Sequence, residues 1–226
     1  MTHPLPVVTR LATRLASGLA ALTLCLGGCA SAPTHYLTLV PGAASSANRS
    51  SRTPRFTVVA VTVPSQVDQP ELVVRQSDGT VALLEKERWI APVGDEIRAA
   101  LTLSLNRKWD DAASPMPMPT PDDAKAAPPS VQIRLDVQRF DSVPGEYALI
   151  AAISTLKFAP PGGPVHSASC RISVRVPVAA GFAALARGHQ TAIDAIAALI
   201  VAESVQLSTG SVNCDAAPVI TGAADS

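Results

Sequence analysis

The chain has 226 residues, enough for one domain or at most two, since a single core usually holds on the order of 100 to 200 residues. Eighteen Lys plus Arg balance eighteen Asp plus Glu, so no basic excess exists to neutralise a phosphate backbone, and nucleic acid is excluded as a partner. Hydrophobic residues make up 47% but aromatics only 4%, so the core must come from Val, Leu, Ile and Ala, with few rings left to stack on bases or sugars.

Arg10 and Arg14 precede an apolar run of 14 residues, Leu15 to Gly28, that ends in Leu26-Gly27-Gly28-Cys29. A positive region, a hydrophobic region and small residues at the cleavage site make a secretion signal, expected over residues 1–28. The run is shorter than the roughly 20 residues of a spanning helix. Leu-Gly-Gly-Cys resembles the lipobox of bacterial lipoproteins, which implies a diacylglycerol on the Cys29 thiol and an acyl chain such as palmitate on its amine. Each buried methylene contributes about 0.8 kcal/mol, and two or more chains make the attachment stable. Ala30, small and neutral, implies by the same resemblance delivery to the outer membrane, with the protein on its periplasmic face. Cleavage removes Cys25, so its offset from Cys29 is no metal motif. Cys170 and Cys214 remain, and in an oxidising compartment two thiols in one small domain are expected to pair, the alternative being two separate buried thiols.

Residues 29–35 form the lipidated tether. At 3.3 to 3.6 Å per residue, Tyr36 lies within about 25 Å of the lipid along the chain. Tyr36 to Val40 reads as a short strand, Pro41 to Pro54 as a loop, and Phe56 to Val63 as a β-branched strand stopped by Pro64. Glu71 to Gln76 and Thr80 to Glu85 flank Ser77-Asp78-Gly79, whose Asp-Gly pair suits a tight hairpin turn. Glu85-Lys86-Glu87-Arg88 alternates in sign and reads as a solvated strand edge. Pro92 opens a helix with Asp95 and Glu96 at its positive end and Arg107 and Lys108 at its negative end. Val93, Ile97, Leu101, Leu105 and Trp109 give that helix one buried stripe.

From Asp110 to Pro129 six prolines alternate with small and acidic residues, predicting a stiff surface loop, in which Met116 and Met118 are incidental rather than copper ligands. Val131 to Phe140 alternates Val131, Ile133, Leu135 and Val137 inward with Gln132, Arg134, Asp136 and Gln138 outward. Tyr147 to Phe158 and Ser167 to Val178 form a hairpin across Pro160 to Pro164, where Gly162-Gly163 serves a turn rather than a ligand. Ile193, Ile196, Ile200 and Leu207 mark one face of a helix from about Gly188 to Leu207. Residues 209–226 are a tail of small residues. The order predicts a layered single α/β domain, residues 36–208, with a mixed, mostly antiparallel sheet and two main helices packed on it.

No nucleophile elbow, phosphate loop or zinc-protease helix occurs in the sequence. His35, His166 and His189 are read as solvated surface residues without visible carboxylate partners. Catalytic residues, metal ligands and cofactors are expected to be absent.

The arrangement resembles the ABC-type transport auxiliary lipoproteins, the PqiC/YmbA-like family. The residues that carry the resemblance are Cys29, Tyr36-Leu37-Thr38-Leu39, Val61-Thr62-Val63-Pro64, Arg75-Gln76-Ser77-Asp78, Arg88-Trp89-Ile90-Ala91-Pro92 and the leucine-rich helix after them. It departs from the family in its long proline loop and in Gln66-Val67-Asp68, where Tyr-Leu-Asp is common. The resemblance implies a non-enzymatic component of an envelope lipid-transport system, working beside an inner-membrane permease, its ATPase and a periplasm-spanning protein with mammalian-cell-entry (MCE) domains. An adaptor that docks the MCE component at the outer membrane is the leading expectation. The alternatives are a carrier that holds an acyl chain itself and a periplasmic hydrolase. Homo-oligomerisation stays open.

Overall fold

The computed structural model describes residues 33–42, 55–76, 78–111 and 129–214, and the described chain from Thr34 onward belongs to one compact unit. The signal segment, Cys29, the two loop methionines, nearly all of the proline loop and the tail beyond Cys214 lie outside the described residues. Among the described residues, seven strands and two helices follow in the order β1 (His35–Leu37), β2 (Arg55–Thr62), β3 (Glu71–Arg75), β4 (Val81–Trp89), α1 (Val93–Asp111), β5 (Ser130–Val143), β6 (Tyr147–Ala159), β7 (His166–Pro177) and α2 (Phe182–Ser208). The α/β class and the mostly antiparallel pairing are as the sequence predicts. The strands divide over two sheets, however, ordered β1-β4-β3 and β2-β5-β6-β7.

The larger sheet carries the core. β5 shows its predicted alternation, with Val131, Ile133, Leu135 and Val137 buried. A bulge between Val137 and Arg139 then shifts the register, so the strand runs on to Val143 with Phe140 buried and Arg139 outside. β2 pairs with β5 in parallel, which requires the chain to cross over between them, and the β3–β4 hairpin and α1 make up that crossover. α1 packs on β2 and α2, and α2 covers β6 and β7. Both predicted helical stripes are buried, Val93 through Trp109 on α1 and Ile193 through Leu207 on α2.

α2 starts at Phe182, earlier than the glycine-marked start expected at Gly188. Gly188 is a contact point instead: a Cβ there would stand 2.3 Å from Val178 Cγ1 and 3.0 Å from Ala148 Cβ, so its lack of a side chain lets the helix close onto the sheet. α2 is long and apolar enough to cross a membrane, but its apolar stripe is spent on the core of this domain.

The smaller sheet is built on the predicted hairpin. Gly79 takes φ +86°, and the Asp78 carboxylate accepts from the Thr80 amide at 2.8 Å and from its hydroxyl at 2.7 Å. These donors hold the Asp78 pKa below the usual carboxylate value. Glu85 to Arg88 is no strand edge: β4 is the central strand, flanked by β1 and β3. Leu72 faces Leu84 while Glu71 faces Arg88, so residues 85 to 87 bulge against β3.

Candidate interaction surfaces

The first surface is where the tether enters the fold. β1 lies parallel to β4, with His35 opposite Glu87, Tyr36 opposite Arg88 and Leu37 opposite Trp89. Immediately after it, Leu39 is fully buried. The Glu96 carboxylate accepts from the Leu39 amide and the Thr38 hydroxyl, both at 2.7 Å, and Gln190 Nε2 donates to the Thr38 carbonyl at 2.9 Å. Glu96 reads in the sequence as a helix-dipole partner, yet it is buried and also holds a segment 57 residues upstream. Only the tertiary fold brings these groups together, so no local signal marks them.

The second surface is a cleft of about 270 Å³ between the two sheets. Pro64, Gln66 and Val67 form one wall, Val73, Arg75 and Val81 of the hairpin a second, and the bulged end of β5 from Gln138 to Ser142 a third. At its floor Asp141 is almost fully buried and accepts a hydrogen bond from Arg139 Nη2, while Arg75 Nη2 stands 3.8 Å from its other oxygen. One buried carboxylate thus faces two half-exposed guanidiniums, leaving the cleft one positive charge in excess. Two of the segments singled out in the sequence, Val61 to Pro64 and Arg75 to Asp78, each place a residue in this cleft. Arg139 and Asp141 carry no sequence signal, because the bulge that aims them is invisible without the partner strand.

The histidines correct the sequence reading. His35 is exposed but paired, its Nδ1 2.7 Å from Glu87 Oε1. His166 is partly buried at the start of β7. His189 is fully buried, stacked on Phe140 with ring centroids 3.9 Å apart, and its Nε2 lies 2.8 Å from the Ser142 hydroxyl. Desolvation lowers its pKa to about 3, so the ring is neutral at neutral pH. The Ser142–His189 pair is not a hydrolytic site, because both residues are sealed from solvent and His189 Nδ1 has no hydrogen-bond partner, let alone an orienting carboxylate. It was missed because an isolated His beside Gly reads as polar surface. Among the described residues no group of three or more His, Cys, Asp or Glu is placed to hold a metal ion.

Cys170 of β7 and Cys214, six residues beyond α2, are joined by a disulfide with Cα atoms 5.1 Å apart. The bond fixes the end of the described chain to the sheet. Nearby, the half-buried Glu203 accepts from the Ser154 hydroxyl at 3.3 Å, and its burial raises its pKa.

A search of curated proteins returns no match. The crystal structure of an uncharacterised protein is similar in fold, with a TM-score of 0.52 at 14% identity over 76% of this chain and 99% of its own. The crystal structure of the Xanthomonas campestris protein XCC0632, of the DUF330 family model, aligns with a TM-score of 0.46 at 15% identity over 80% of this chain and 91% of its own. The model of the ABC-type transport auxiliary lipoprotein component matches residues 36–201, which span both sheets and most of α2. The chain belongs to the ABC-type transport auxiliary lipoprotein family.

Proposed function

We propose that this protein is an outer-membrane lipoprotein that docks the MCE component of an intermembrane lipid-transport system and takes no part in bond chemistry itself. In this reading residues 1–28 are removed, Cys29 carries the acyl chains on the periplasmic face, and the domain of residues 36–208 receives the distal end of the periplasm-spanning MCE protein. Energy comes from the remote permease and ATPase. The observation that carries the reading is the family match over residues 36–201, joined to the lipobox-like Leu26-Gly27-Gly28-Cys29.

The cleft between the sheets is the docking surface in this proposal. Its apolar walls, Val67, Val73 and Val81, surround two guanidiniums that exceed the local negative charge, a combination suited to an acidic segment of a protein partner. At about 270 Å³ it is below the roughly 300 to 1,000 Å³ of usual ligand pockets, which favours an adaptor over a carrier enclosing a two-chain lipid.

Mild crosslinking in membranes followed by purification tests the proposal. An MCE-domain protein should be recovered with the wild type, and the Arg75→Gln variant, which removes one guanidinium but leaves the Arg139–Asp141 hydrogen bond in place, should recover several-fold less of it while the domain stays folded by circular dichroism. Recovery of only unrelated envelope proteins, or stoichiometric phospholipid in the mass spectrum of the unanchored domain, would overturn the adaptor.

A further inference from the structure

The face of the larger sheet turned away from the helices carries its charges in register. Ser154 of β6 bonds Glu203 of α2 and so marks the covered side, which leaves Lys157, Thr155, Ile153, Ala151 and Leu149 of β6 on the other. The ladders set Arg134 of β5 beside Thr155, Arg171 of β7 beside Ile153, Arg139 of β5 beside Ala151 and Arg175 of β7 beside Leu149. With Lys157 itself, every second residue along β6 therefore brings one cation. Only Asp136 and Asp141 oppose these five on the three strands, so this face stands at +3 on a chain of zero formal charge.

From this register we infer that the face is a trough for an extended acidic segment of the protein partner, running along β6 out of the cleft. The inference deepens the proposed docking function and rests on it. Side chains on one side of an extended chain recur every two residues, about 6.7 Å, which is also the interval between successive rows on β6. A carboxylate at alternate positions would meet one cation in each of the five rows, over about 27 Å. β5 and β7 stand about 10 Å apart on either side of β6, room for one such chain between the arginines. Its floor is neutral: Leu149 is buried and Ala151, Ile153 and Thr155 are half-buried, so a segment laid on them strips no charge of water.

The cations are available. Among the described residues Arg134, Lys157 and Arg171 have no carboxylate within ion-pair distance, and Asp136 is held by the neutral donors Thr62 Oγ1 and Gln138 Nε2, each at 2.7 Å. The Arg175 guanidinium is positioned over the Tyr147 ring, 3.7 Å from its centroid. At the other end Arg139 and Asp141 also line the cleft, so trough and cleft are continuous. There the β3–β4 hairpin stands against the face, with Arg75 Nη2 3.8 Å from Asp141, a raised wall that admits a chain segment but holds off a planar headgroup layer. β5, β6 and β7 expose no large apolar side chain, which leaves apolar anchoring of the partner to Val67, Val73 and Val81 in the cleft and charge pairing to the trough.

Photocrosslinking in membranes that hold the full-length lipoprotein and the MCE component provides the test. p-Benzoylphenylalanine is introduced at Thr155 or Ser169 in the trough, at Val81 on the cleft wall, and at Leu103 on α1, a 49% exposed reference. Positions 155 and 169 should give the same MCE-domain adduct as position 81, several-fold above position 103, and the attached segment should carry Asp or Glu at alternate residues. Arg134→Gln combined with Arg171→Gln, both at exposed positions, should lower the adduct from position 155 several-fold. Protein adducts from position 81 alone, phospholipid adducts at 155 and 169, an attached segment without alternating acids, or a yield unmoved by the double variant would each overturn the trough, while the adduct from position 81 would keep the cleft as the docking site. No adduct from any position would overturn the trough and the adaptor together.

Discussion

The two sheets solve the burial problem differently. The four-stranded sheet has its apolar strands β5 and β6 in the middle and α1 and α2 packed against it, so Ile133, Leu135, Ile150 and Leu156 lose nearly all contact with water. Among the described residues no helix packs on the outward face of the three-stranded sheet, where Tyr36, Val81, Leu83 and Ile90 stay at least half exposed. An apolar residue on the first sheet is explained by packing. On the second it contributes little to folding, because these four side chains stay largely in water.

Breaking the covered sheet should cost most. Ile150→Ala removes a fully buried side chain from β6 and should destabilise the domain by about 2 to 5 kcal/mol, read as a shift in the urea midpoint at constant slope. The joint between the sheets and the tether comes next. Glu96→Ala leaves the buried Leu39 amide without its acceptor and should cost about 2 kcal/mol, with faster proteolysis around residues 34–42 as a local readout.

Acid should sharpen the same comparison, because the buried titratable ring touches β5 of the larger sheet. His189 has a folded pKa of about 3 against 6.5 when unfolded, so between those values the unfolded chain binds the extra proton. Stability therefore falls as pH drops from 6.5 toward 3, by about 2 kcal/mol between pH 7 and pH 5. Glu203, with its raised pKa, acts in the opposite direction above its unfolded value of 4.5, so the clean measure is the difference in slope between wild type and His189→Asn. An unchanged slope in the variant would remove His189 as the cause. The smallest effect belongs to the outward face: Leu83→Ser should change stability by no more than about 0.5 kcal/mol, measured by thermal unfolding, whereas a loss of several kcal/mol would show that this face is packed.

Much of the larger sheet was legible because its residues repeat. The β5 alternation and the stripe from Val93 to Trp109 each recur at the period of their own element, and a repeated pattern needs no knowledge of the neighbour. The Asp78-Gly79 turn was readable because it depends on the backbone freedom of one glycine. The cleft was not. Its floor depends on the bulge after Val137, which changes which side chains point outward, and Phe140 to Val143 abandon the alternation that would have placed them. His189 and Gly188 were misread for a related reason: polarity and flexibility are local properties, whereas burial against Phe140, Val178 and Ala148 is not.

The amino-acid order by itself determined the elements, the apolar face of each helix and the lipobox-like segment ahead of the domain, because short-range periodicity and turn chemistry act within a few residues. Tertiary structure alone decided that the strands split into two sheets, that β4 lies in the centre of one, and that Glu96, Gln190 and Thr38 form a clamp across a sequence gap of up to 152 residues. Strand partners and buried polar contacts are chosen by what the folded chain brings opposite one another. That choice depends on the closure of long loops and the sharing of one core.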